Sequence, residues 1–102
     1  MTLPQEQHPA YALAIDFAVL ADELSDQVPN DERRRAGPLI EAGRAVAQAV
    51  ATDATAGDGW TRTHQEIAHA GVELDILARR TFVQGIDEAR ELLVRVREAL
   101  SQ

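Results

Sequence analysis

Three features of the sequence predict an all-α fold, a single up-down-up-down antiparallel four-helix bundle. Apolar residues recur at i, i+3, i+4 and i+7 in four separate stretches, the spacing that lines one side of a helix turning about 100° per residue. Short breaks at Val28–Asp31, Thr55–Gly59 and Phe82–Gly85 separate those stretches. Links so short set each helix antiparallel to the one before it. A chain of 102 residues makes one domain: a flexible leader over residues 1–8, then the bundle over residues 9–102.

The first helix is expected from Pro9 to Gln27, with the proline in its first turn, where a missing N–H costs nothing. Leu13, Phe17, Leu20, Ala21, Leu24 and Val28 form its main stripe. Tyr11, Ile15 and Val19 lie well off that stripe, among Asp16, Asp22 and Asp26, and themselves follow i, i+4, i+8. Such a second strip is either a set of exposed aliphatics or a surface that meets another subunit.

Pro29 ends the first helix, and Asn30 or Asp31 can cap the second. That second helix reads as one long element from Asp31 to Ala54, with Ala36, Leu39, Ile40, Gly43, Val46, Ala47, Val50 and Ala54 on its core side. Pro38 is tolerable only in a first turn. It raises the alternative of a start near Gly37, with residues 31–36 as a capping turn. The opposite side carries Glu41, Ala42, Ala45, Gln48, Ala49 and Thr52. Its small side chains reflect either a close helix approach or alanine's helix propensity.

The third helix is expected from Trp60 to Thr81, burying Trp60, Ile67, Ala70, Gly71, Leu74, Leu77 and Ala78, with Val72 and Ile76 on the far side. The last runs from Ile86 to Leu100, burying Ile86, Ala89, Leu92, Leu93, Val96 and Leu100. Its acids stand early (Asp87, Glu88) and its arginines late (Arg95, Arg97), as the helix dipole prefers.

Composition narrows the function classes. The chain is 45 % apolar, but 18 of its residues are Ala and only 4 % are aromatic. Each helix therefore has limited apolar area, and the missing bulk must come from close packing or from burial between subunits. No cysteine is present, which removes disulfides and thiolate metal sites. No apolar run approaches the length of a membrane span, and the polar start MTLPQEQHP lacks a signal-peptide core; a cytoplasmic location is the expectation. All ten basic residues are Arg, against 17 acids, for a net charge of −7. Phosphate backbones call for positive surface, so this balance weighs against general nucleic-acid binding and suits a basic protein partner equally well.

The run Val28-Pro29, Asp31-Glu32-Arg33, Leu39-Ile40 and the Ala/Arg/Val-rich helix after it, followed by Ile67-Ala68-His69-Ala70-Gly71-Val72-Glu73-Leu74-Asp75-Ile76-Leu77, resembles a family of small bacterial four-helix bundles. That family includes proteins encoded in intervening sequences of 23S ribosomal RNA genes, and is related to the accessory variability protein of diversity-generating retroelements. The likeness runs from Ala14 to Leu100. It implies an up-down bundle that assembles as a ring, commonly a homopentamer, without catalytic activity. Nucleic-acid binding and docking to a reverse transcriptase belong to the retroelement branch. Where the family has paired Arg and Asn on the second helix, this chain has Glu41-Ala42-Gly43-Arg44 and then Ala51-Thr52-Asp53, with Arg44 as the one basic match.

Few constellations carry chemistry. Glu66 and His69 form a Glu-x-x-His pair of the kind di-iron bundles use, but they fall off the core stripe, and the other core stripes offer no Glu. Arg62 and His69 fit loosely the Arg-x6-His spacing of the HEPN ribonucleases, where Arg holds phosphate and His acts as acid or base. His64 reads as a boundary residue, and Trp60 as a core anchor or bundle-end cap. No Gly-rich phosphate loop or nucleophile motif is present.

The expected function is that of a non-enzymatic homo-oligomeric scaffold needing no metal or cofactor, in contact with itself through Tyr11, Ile15, Val19, Val72 and Ile76. The alternative is a nucleic-acid-binding accessory protein of a retroelement, using Arg33, Arg34, Arg35 and Arg44 and partnering a basic protein such as a reverse transcriptase. A HEPN-like ribonuclease is the third reading.

Overall fold

A computed structural model describes residues 3–57 and 59–101; Met1, Thr2, Asp58 and Gln102 fall outside it, and with them the first part of the expected leader. The described residues form four α-helices: α1 (Pro9–Asp26), α2 (Ala36–Ala56), α3 (Thr61–Arg80) and α4 (Ile86–Ala99). Among the described residues there is no strand. α1 packs on α2 and α4, and α3 packs on the same two helices, so α1 and α3 occupy diagonal corners of a bundle.

Each helix end follows from its neighbours in sequence. Pro9 opens α1, and the His8 side chain caps it, Nδ1 accepting the Ala10 N–H at 3.1 Å. Preceding it, Pro4–Gln7 forms a 3₁₀ turn packed against α1 and α2, where the sequence suggested a flexible leader. The second helix does not begin at Asp31: Asn30–Arg35 is a separate 3₁₀ turn, and Glu32 leaves helical geometry at φ −117° and ψ 19°. Pro38 decides this. It sits as the third residue of α2, where its missing N–H has no intrahelical acceptor to lose. α2 then runs past Ala54 to Ala56 and closes on Gly57, whose φ of 72° admits glycine without the penalty a Cβ would bring.

Among the described residues, alanines are eight of the 21 buried apolar side chains of the core. Phe17, Leu24, Leu39, Leu74 and Leu77 are its largest fully buried side chains, each contributing roughly 1.5–3 kcal/mol. Around them lie Ala10, Ala14, Ala21, Ala47, Ala49, Ala70, Ala89 and Ala99. On α1 the buried stripe is Ala10, Ala14, Phe17, Ala21, Leu24 and Ser25, while Leu13 and Leu20 are only half-buried. This corrects the predicted stripe by part of a turn. The cause is Gly43, where a Cβ would stand 2.9 Å from the Ala18 Cα and 3.0 Å from the Ala21 Cβ. α1 and α2 meet nearly backbone to backbone, so the α1 face turned to α2 is the alanine face. The close approach lies on the core side of α2. On its opposite side Ala49 is buried, whereas Glu41, Gln48 and Thr52 are exposed.

Replacing Gly43 by Ala should destabilise the fold by about 1–3 kcal/mol through overpacking, against a gain of up to about 1 kcal/mol in helix propensity. The same change at Gly71, inside α3 with nothing within 4 Å of the new Cβ, should stabilise by up to about 1 kcal/mol. Denaturant midpoints of the two variants should move in opposite directions.

Candidate self-association surface

The residues expected at subunit contacts sit on the diagonal pair of helices. On α1, Ile15 is 38 % exposed and Val19 53 %, while Tyr11 is half-buried against the core. Tyr11 and Ile15 border a shallow groove of about 260 Å³ between α1 and α2, which Arg44, Ala47, Gln48 and Ala51 complete. On α3, Val72 is 54 % exposed and Ile76 is half-buried. Phe82, which sequence reasoning passed over as part of a link, is 86 % exposed. Its signal was present: an aromatic residue between the last stripe position of α3 and the first of α4 belongs to neither stripe.

The arginines expected to meet an anionic partner divide by what they already hold. Arg33 Nη1 donates to the Ser25 and Val28 carbonyl oxygens, both at 2.9 Å, and so caps the C-terminal end of α1. Arg35 Nε donates to Glu32 Oε2 at 2.9 Å. Arg34 Nη2 stands 3.9 Å from the same oxygen with its side chain largely in solvent, and Arg44 faces Glu41 at 3.8 Å on an exposed surface. From the far end of α3, Arg80 Nε donates to Glu32 Oε1 at 3.1 Å. The buried Glu32 carboxylate thus ties the α1–α2 turn to the end of α3. The Arg80 hydrogen bond, then that of Arg35, holds the Glu32 carboxyl below the ordinary carboxylate range, against the opposing effect of burial.

A second carboxylate serves structure where the sequence showed only an acid on α2. Asp53 is buried, and its Oδ2 accepts both the Thr63 N–H at 2.8 Å and the Thr63 hydroxyl at 2.9 Å. Thr63 is the third residue of α3, so Asp53 does from a neighbouring helix what a capping residue does from within. Its position three residues after Val50 and seven after Val46 already placed it on the buried stripe. Beside it, the His8 and Trp60 rings pack with centroids 4.7 Å apart at 57°. Trp60 therefore caps the bundle end, bordering a cleft of about 370 Å³ with Pro4, Gln7, His8 and Asp53.

The remaining candidates stay apart. His69 Nδ1 lies 3.6 Å from Glu66 Oε2, with the histidine side chain mostly in solvent. Arg62 lines a groove with Gln48, Thr52 and Glu66 that His69 does not border. His64 is exposed. Among the described residues no three His, Asp or Glu are grouped to hold a metal ion, and no helix is long and apolar enough to cross a membrane. Compared with family models, with curated proteins and with solved structures, the chain matches none.

Two predictions follow from the carboxylates. Asp53→Ala should lower stability by roughly 2 kcal/mol, the upper part of the range for a lost helix cap, read from thermal unfolding. Glu32 has a folded pKa below its unfolded value, so its contribution is complete above the unfolded value and is lost as pH falls through the folded one. The unfolding free energy should therefore fall less steeply on acidification in Glu32→Gln than in the parent.

Proposed function

We propose that this chain is a non-enzymatic, self-associating four-helix bundle, up-down-up-down in topology, that serves as an interaction scaffold in the cytoplasm. The observation that supports this most is the exposure of Ile15, Val19 and Val72 near the middle of two helices at diagonal corners of the bundle. Each is already about half buried, so covering the remainder would contribute roughly 0.7–1.5 kcal/mol. Association costs roughly 4–15 kcal/mol in lost freedom, so both strips are needed for stable assembly. One copy cannot cover strips on opposite corners of itself. A ring covers both at once, and a homopentamer is the size expected from the family the sequence resembles.

The nucleic-acid reading has less to draw on. Arg33 and Arg35 are engaged within the chain, and the net charge of −7 repels phosphate.

Light scattering on the purified protein should give a multiple of the 11.1 kDa chain mass. Replacing Ile15 and Ile76 together by Asp should reduce it to the single-chain value. A parent protein of 11.1 kDa in dilute solution would remove the scaffold reading.

A further inference from the structure

α1 and α3 carry the same outward pattern with opposite charge. Ile15, Val19, Asp22 and Glu23 occupy positions i, i+4, i+7 and i+8 of α1, and Val72, Ile76, Arg79 and Arg80 occupy those same positions of α3. Phe17 and Leu74 take the equivalent buried place in each, so the two patterns stand at one angle to the core. Asp16, Asp22, Glu23 and Asp26 are exposed, none is in an ion pair among the described residues, and α1 contains no basic residue. On α3 the balance reverses. Glu66 faces His69 and Asp75 is bonded to Arg90, while Arg79 is exposed and without an ion pair among the described residues. Glu73, half-buried, is the one α3 carboxylate left. Arg80 keeps half of its side chain in solvent while holding Glu32.

We propose that α1 of one copy packs parallel against α3 of the next, Ile15 on Val72 and Val19 on Ile76, with Asp22 facing Arg79. This rests on the self-association proposed above and specifies its two halves. Charge decides the pairing. In parallel packing α1 against α1 would bring carboxylates together, α3 against α3 would bring guanidinium groups together, and like charges across a contact are costly. Unlike faces repeat from copy to copy and close into a ring when the rotation permits. Copies rotated about an axis along the bundle keep their helix directions. In an up-down bundle α1 and α3 run the same way, which is the sense that parallel packing requires.

Two sets of variants test this, with mass read by light scattering. Ile15→Asp and Val72→Asp should each give single chains. Mixed in equal amounts they retain one intact pair of faces, α1 of the second with α3 of the first, and should form a dimer that grows no further. Asp22→Arg and Arg79→Asp should each weaken association about tenfold at low salt, and the two changes in one chain should restore it. If the parent assembles and both strip variants dissociate, yet their mixture stays monomeric or the paired charge exchange fails to restore assembly, this inference is overturned while self-association stands. A monomeric parent overturns both.

Discussion

Gly43 sets the distance between α1 and α2, and much of the molecule follows from that distance. With the Ala18 backbone and the Ala21 methyl facing it, nothing larger than hydrogen fits, and the helices close over alanines. A core built this way is thin. It holds Phe17 with leucines and valines such as Leu24, Leu74, Val46 and Val96, but it does not reach round to the outer sides of α1 and α3. Ile15, Val19 and Val72 stay in water for the same reason that Ala10, Ala14 and Ala21 are buried. The assembly proposed here is thus a product of packing within one copy: where α1 closes on α2 over alanines, Ile15 and Val19 of α1 stay outside.

Charge is arranged in a comparable division. Carboxylates that are buried hold the fold: Glu32 receives Arg35 and Arg80, and Asp53 receives the third residue of α3. Those on the outer face of α1 are in no ion pair among the described residues. Arginines divide likewise. Arg33 caps the nearby end of α1 and Arg80 joins segments 48 residues apart, while Arg79 is in no ion pair among the described residues. The arginine cluster of the α1–α2 turn is therefore largely a structural clasp, and the other arginines in no ion pair among the described residues lie on α3 and α4 (Arg62, Arg79, Arg95 and Arg97).

Much of the fold was legible in the sequence because helix periodicity and helix stops are local signals. Pro9, Pro29, Pro38, Gly57 and Gly85 each act on their immediate neighbours, and the four helices lie where those residues allow. What was not legible depends on meetings between distant segments. The rotation of α1 by part of a turn follows from the fit of Ala18 and Ala21 to Gly43, which no stripe counted along one helix reveals. Glu32 stands among arginines in the sequence, and its partner Arg80 lies 48 residues on, at the end of α3. Asp53 stands at a buried-stripe position, but its partner, Thr63, lies across a turn, and no count along α2 pairs the two. The candidate surface was more legible, since Tyr11, Ile15, Val19, Val72 and Ile76 break the stripe rule in a way that needs no partner to see, though not which side meets which.

The two buried carboxylates also have a consequence for how the molecule breathes. Both ends of α2 are fastened to α3, one through the clasp at Glu32 and the other through Asp53. α4 has no such fastening among the described residues: its polar tie to the rest is the exposed bond between Arg90 and Asp75, and the remainder is apolar contact. Local opening begins where least is fastened. The C-terminal helix is accordingly the loose stave of the barrel, and its amides should trade their protons with water before those of the other three.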